Sequence, residues 1–318
     1  MSDTPRVNYL DLTDCRLCPR SCGVNRAAGE LGYCHESAAL YAARAALLEW
    51  EEPVISGKKG SGAVFFAGCN MGCVFCQNYA IAKAMAGKEI SVGRLAEIFL
   101  SLQEQGAANV NLVTPTHYAP MIAAALKSAK RQGLSVPVVY NTGSYERVEA
   151  LRLLEGLVDI YLPDLKYVSP RLSLLYSHTP DYFQYASKAI AEMVRQAGEP
   201  LFADGSRSID AADDGDDPLM VRGVIVRHLA LPGCAEDSRD VLRYLSETYG
   251  DRIFISLMNQ YTPMPQVGND ANLSRRLTAQ EYDALVDYAL SLGVSNGFIQ
   301  EGETASQSFI PAFDCTGL

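Results

Sequence analysis

The chain reads as an α/β protein, a partial (β/α)6 TIM-like barrel with an N-terminal Cys-rich extension. Three observations predict this. From residue 63 onward, six short runs rich in Val, Ile, Phe and Tyr alternate with six segments of helical periodicity. Several of the runs are almost continuously apolar, as strands covered on both faces are. Seven of the nine cysteines fall in two groups within the first 76 residues. Right-handed crossovers between parallel strands curl such a sheet into a full or partial barrel.

Taken in order, the elements begin with a polar stretch, residues 1–14, that lacks the apolar centre of a signal peptide. No apolar run reaches the ~18 residues needed to cross a membrane. The expected compartment is the cytoplasm, where thiols stay reduced. Residues 1–60 hold the first cysteine group, an Ala-rich stretch (37–48) and the loop ISGKKGSG (55–62). That loop misses the G-x4-G-K-[ST] spacing of a phosphate-binding loop and reads as a flexible lead-in. The domain division is therefore 1–60, a Cys-rich metal-binding extension and lead-in, and 61–318, the barrel with its C-terminal segment.

The strand candidates are 63–67, 109–114, 136–141, 158–165, 221–231 and 252–258. The first helix is capped by Ser91, with Val92, Leu95, Ile98 and Leu102 on one face. The other helical patterns cover 121–132, 145–154, 181–196, 237–249 and 279–292. The acidic stretch 202–218 breaks the rhythm. It lacks the glutamate that ends a calcium loop and reads as a solvated loop.

Composition bounds the function. Of 318 residues 48% are hydrophobic and 20% charged, enough apolar material for a sizeable core. A net charge of −10, with no basic run, excludes a nucleic-acid partner held by its phosphates.

The chemistry sits in FFAGCNMGCVFCQNY (65–79), where Cys69, Cys73 and Cys76 are spaced C-x3-C-x2-C directly after the first strand. Thiolates are the usual ligands of iron–sulfur clusters. Three thiolates on a [4Fe–4S] cluster leave one iron open, as catalytic zinc sites keep one position free. A loop after the first strand lies at the C-terminal face, where such barrels place their chemistry. A zinc site would favour paired C-x2-C knuckles, and only one such pair is present in this motif.

On these residues the chain resembles the radical S-adenosylmethionine (radical SAM) superfamily, and more closely the uncharacterised relatives of pyruvate formate-lyase activating enzyme. The matching segments are CRLCPRSCGVNR (15–26), NLVTPTHY (111–118), DIYLPDLK (159–166), RHLALPG (227–233) and SLMNQYTP (256–263). The resemblance implies a [4Fe–4S] cluster on Cys69, Cys73 and Cys76, with SAM on the open iron. Reductive cleavage of SAM then gives a 5′-deoxyadenosyl radical that abstracts hydrogen from a substrate. It implies an electron donor of flavodoxin or ferredoxin type, and a substrate that is either a glycyl-radical enzyme partner or a small molecule. Phe75 belongs to the motif. Asn141 and Thr142, then Asp164 and Lys166, hold places that contact SAM or a nearby monovalent cation, and Arg227 matches a position near SAM. Thr114 and Thr116 stand where the superfamily usually has Gly-Gly-Glu for SAM's amino group. The other function class is a non-catalytic iron–sulfur or zinc protein.

Cys15, Cys18, Cys22 and Cys34 follow C-x2-C-x3-C-x11-C. Four thiolates complete either a zinc site or a second [4Fe–4S] cluster. Cys234 and Cys315 read as inert thiols. His117 and His228 read as satisfied histidines, with His117 also a candidate substrate-facing donor. Tyr261, Gln300, Glu301 and Glu303 are candidates for the pocket wall.

Overall fold

A computed structural model of the protein describes residues 10–49, 51–209, 218–300 and 311–318. The strands in chain order are β1 (Leu40–Leu48), β2 (Ser61–Phe66), β3 (Lys88–Ile90), β4 (Val110–Val113) and β5 (Val138–Thr142), then β6 (Ile160–Pro163), β7 (Leu201–Phe202), β8 (Met220–Leu229), β9 (Phe254–Met258) and β10 (Gly297–Ile299). The helices are α1 (Pro53–Ser56), α2 (Tyr79–Ala82), α3 (Val92–Glu104), α4 (Ala119–Arg131), α5 (Val148–Leu151), α6 (Pro170–Ser177), α7 (Tyr182–Ala197), α8 (Ala235–Tyr249) and α9 (Ala279–Ser291).

All six strand candidates lie in one sheet, ordered β10-β9-β8-β6-β5-β4-β2-β1-β3, with β7 on β8. From β2 through β10 the pairs along this path are parallel. Ser91 caps α3 as expected, its hydroxyl accepting the Arg94 N–H at 3.0 Å. The sheet curls, so side chains alternate between an inner face and an outer face covered by helices. Val138, Tyr140, Tyr161, Val224 and Val226 pack outward against α3, α4, α7 and α8, in the main core. Val139, Ile160, Leu162, Ile225 and Phe254 point inward and fill the barrel's N-terminal end.

The segment ahead of residue 61 differs from expectation. Its Ala-rich stretch is the strand β1, antiparallel to β2, with Ala42 and Ala43 fully buried. Alanine carries little β propensity, so pattern alone does not announce a strand; its small side chains allow close packing. The C-terminal segment returns to β1, where Cys315 N–H donates to Ala43 O at 2.9 Å. Nor is the start of loop 55–62 a loose lead-in. Val54 and Ile55 of α1 plug the inner core at 0% exposure, and Asn109 Nδ2 donates to Ile55 O at 2.8 Å.

Candidate functional site

The alternation that fills the lower barrel with aliphatic groups puts polar ones at its upper end. Two residues beyond each inward aliphatic stand Asn141, Asp164 and Arg227, and all three open onto a cavity of about 1080 Å³. Cys69, Cys73, Cys76, Phe75, Thr114 and Lys166 line the same space.

The cysteine loop leaves β2 through Gly68, at φ +83°, where a Cβ would press within 2.7 Å of Cys34 O. Only glycine fits both that conformation and that approach. The loop is then clamped. Arg20 donates to the carbonyls of Asn70 (2.7 Å), Met71 (2.9 Å), His178 (2.6 Å) and Ser177 (3.2 Å), and its guanidinium lies 3.6 Å over the Tyr33 ring. Cys69 Sγ accepts the Met71 N–H at 3.4 Å, and Cys73 Sγ accepts the Ser177 hydroxyl at 3.0 Å. Burial pushes the Cys76 thiol up to about 12, with Cys73 and Cys69 adding like-charge repulsion. Burial likewise raises Cys73. Such thiols become thiolates only against a compensating metal charge. Three thiols, Cys69, Cys73 and Cys76, on one clamped loop and open to one cavity, would suit a [4Fe–4S] cluster.

Asp164 is shared. Its Oδ2 accepts Lys166 Nζ at 2.6 Å, and its Oδ1 accepts Arg227 Nε at 2.9 Å. Burial works against the Asp164 charge, but Arg227 and Lys166 outweigh it and hold its pKa below the usual range. Both carboxylate oxygens are thereby engaged by cations. Arg227 also donates to Asn141 Oδ1 at 2.7 Å and lies 3.6 Å from Glu51.

Two expected SAM contacts point elsewhere. Thr142 follows inward-facing Asn141, so alternation turns it outward, where its hydroxyl donates to Glu146 Oε1 at 2.5 Å. Thr116 donates to the same oxygen at 2.7 Å. The structure gathers both around the buried Glu146, with the Tyr140 hydroxyl 3.2 Å away, instead of at the cavity. His117 is no substrate-facing donor either. It is 2% exposed, donates from Nε2 to Ala67 O at 2.7 Å, and burial lowers its pKa to about 3. Tyr261 is buried, its hydroxyl bonded to Leu273 O, while Gln300 does line the cavity. Glu301, Glu303 and residues 210–217 of the acidic stretch lie outside the described residues. Cys234 is a buried thiol pushed up to about 11, chiefly by burial.

Sequence reasoning missed Glu51 and Glu52. The segment between β1 and β2 carries them across the barrel, where Glu51 lines the cavity and Glu52 Oε1 accepts the Ser256 hydroxyl at 2.9 Å. Burial raises both carboxyls, Glu52 to about 7, against the opposing pull of Arg227. They lie in a stretch with no period and no motif, so no local signal marks them.

The N-terminal cysteines converge. Gly32 faces Cys34 Sγ and Cys22 Sγ, which would stand 3.5 and 3.6 Å from a Cβ there. Burial lifts Cys18 to about 12 and Cys34 to about 11, neighbouring cysteines adding to both. The Tyr33 N–H donates to Cys22 Sγ at 3.3 Å. Among the described residues, no three His, Cys, Asp or Glu side chains are spaced to hold a single metal ion.

The barrel and the cysteine loop have counterparts among known proteins. Residues 63–202 match the family model of the Radical SAM superfamily. It is 27% identical over 308 residues to an uncharacterized protein, MJ0674, of Methanocaldococcus jannaschii, covering 89% of this chain and 79% of that one. The fold resembles the FeFe-hydrogenase maturase HydG of Carboxydothermus hydrogenoformans, with a TM-score of 0.52, 10% identity, and coverage of 76% and 53% of the two chains. Another match is SuiB of Streptococcus suis bound to precursor peptide SuiA, with a TM-score of 0.49, 10% identity, and coverage of 74% and 47%. The chain thus spans about half the length of these two solved structures. Among the described residues no helix is long and apolar enough to cross a membrane.

Proposed function

We propose that the protein is a radical SAM enzyme whose cluster sits on Cys69, Cys73 and Cys76. The observation that carries this is the opening of all three thiols onto one cavity with Asn141, Asp164, Lys166 and Arg227. When bound, a [4Fe–4S] cluster supplies an electron to the sulfonium of SAM and so a 5′-deoxyadenosyl radical able to take hydrogen from a substrate. The chain's own groups bind and orient. Asp164 fixes Lys166 and Arg227, whose positive charge suits a carboxylate at the rim. Asn141 and Thr114 offer hydrogen bonds, and Phe75 walls the cavity. Thr116 and Thr142 act indirectly, through Glu146 beneath the rim.

The finer part of the reading is an activating-enzyme-like oxidoreductase in the cytoplasm. It takes electrons from a flavodoxin- or ferredoxin-type donor and abstracts hydrogen from a glycyl-radical protein. Its support is the set of matching sequence segments, together with nine free cysteines, which suit a reducing compartment. We also assign Cys15, Cys18, Cys22 and Cys34 to a second metal centre in a Cys-rich extension before the barrel, with their spacing favouring an iron–sulfur cluster over a single zinc ion.

Anaerobically reconstituted protein, given SAM and dithionite, should release 5′-deoxyadenosine, and any one of Cys69→Ala, Cys73→Ala or Cys76→Ala should abolish it. A triple variant that still makes it at the wild-type rate ends the proposal. A non-catalytic electron carrier would release none. Deuterium transfer from a labelled target to 5′-deoxyadenosine identifies the substrate.

A further inference from the structure

We infer that Tyr167 and Ser177 form a hydroxyl relay that donates a hydrogen bond to the Cys73 sulfur and makes the cluster easier to reduce. The inference rests on the reading of Cys73 as a cluster ligand. Ser177 Oγ lies 3.0 Å from Cys73 Sγ and 3.0 Å from the Tyr167 hydroxyl. Ser177 is 0% and Tyr167 1% exposed, so water does not compete for these bonds.

The direction of the relay follows from proton counting. A cluster-bound thiolate carries no proton and can only accept. Ser177 has one hydroxyl proton, and it goes to the sulfur. The Tyr167 proton must then go to Ser177 Oγ, and each bond polarises the other.

The serine is held where the relay needs it. It is the last residue of α6. The preceding carbonyl, Tyr176 O, accepts the Val74 N–H at 2.9 Å, next to Cys73 itself. Arg20 binds Ser177 O and His178 O while also binding Asn70 O and Met71 O. Sulfur and hydroxyl are therefore fixed to each other through the main chain on both sides.

Reduction places one electron from an external reductant on the cluster. No bond forms or breaks, and the relay protons stay on oxygen. The added charge spreads onto the thiolate sulfurs, and a donor aimed at one of them in a dry site stabilises the reduced state more than the oxidised one.

The test uses the full chain, reconstituted anaerobically, with redox titration followed by EPR on the signal that responds to SAM. At the wild-type midpoint, Ser177→Ala should lower the reduced-to-oxidised ratio about tenfold, or 59 mV for one electron. Tyr167→Phe should lower it about threefold, and Ser177→Thr, which keeps the hydroxyl, should return close to wild type. A midpoint unmoved in Ser177→Ala overturns the relay and leaves the cluster reading standing. Equal shifts in Ser177→Ala and Ser177→Thr also overturn it, since packing is then the cause. If Ser177→Ala loses its cluster, Tyr167→Phe decides, and an unmoved midpoint there is fatal. A wild-type protein with no SAM-responsive signal overturns the cluster reading and this inference together.

Discussion

Asp164 is the residue on which the polar rim turns. Its two oxygens are divided between Lys166 and Arg227, and all three side chains are nearly buried, at 15% to 17% exposure. Removing the negative charge leaves two cations facing each other in a poorly solvated space, the costly way to break a buried ion pair. Asp164→Asn keeps the shape and tests the charge. Affinity for SAM should fall at least ~10-fold, the loss expected when a charged contact of about 1.5–3 kcal/mol is removed. The cluster's absorbance should persist, because no thiol has been touched. SAM titration followed by EPR measures the first and the visible spectrum the second. Wild-type affinity in this variant would reduce Asp164 to a polar strand end. The neighbouring pair Asn141 and Thr142 shows how far residue-level reading reaches. The strand period of two puts one of them in the cavity and the other beneath helices. That period is legible in the sequence, whereas the carboxylate of Glu146 that receives Thr142 and Thr116 is brought there by the turn after β5.

Among the elements, the six strands and the Ser91-capped helix announce themselves through apolar runs, periodicity and a cap. Elements whose stability comes from tertiary contact do not. β1 is an alanine strand held by β2 on one edge and by β3 and the C-terminal segment elsewhere. α1 is one turn long and buried by the barrel it plugs. The turn 18–22 looks like a pair of metal ligands with filler between, yet Arg20 within it carries four hydrogen bonds that bridge the cysteine loop to the end of α6. No sequence period relates positions 20, 70 and 178, so the bridge is visible only in three dimensions. It makes the two cysteine groups mechanically continuous. Arg20→Met should preserve the fold of the barrel but free the loop 69–76. Amide exchange there should quicken, and a chelator should strip cluster iron at least ~10-fold faster, for a loss of more than one charged hydrogen bond. Exchange and iron release at wild-type rates would show that the loop is held without the clamp. Cys15→Ala makes the complementary test. It should lower total metal content and loosen residues 12–36 while the barrel keeps its protection, since metal binding supplies much of such a loop's folding energy. Unchanged stoichiometry would remove the second centre.

At the scale of the whole molecule, the barrel's stability depends on buried groups that must stay uncharged, and His228 gives the clearest consequence. It lies on the outer face of β8, 2% exposed, between Leu165 and Ser238. Leu165 O can only accept, so Nδ1 carries the proton and donates across 2.7 Å. In the neutral ring Nε2 then accepts the Ser238 hydroxyl at 2.9 Å. A second ring proton would turn that acceptor into a donor, in a place without water. Burial accordingly lowers the pKa from 6.5 to about 4, Lys166 adding to the effect. The sign of the linkage is fixed by which state binds the proton. Between pH 6.5 and 4 the unfolded chain protonates this histidine and the folded chain does not, so stability falls as pH falls and the contribution is complete above pH 6.5. Going from pH 7.5 to pH 5 should cost about 2 kcal/mol through this one group. His228→Gln cannot titrate. Whatever stability it loses at pH 7.5, its further loss on acidification should be smaller than wild type's by about that amount, as measured by urea unfolding at both pH values. Parallel pH dependence in wild type and variant would mean that His228 titrates normally in the fold, and that the Leu165–His228–Ser238 bonds do not hold it neutral.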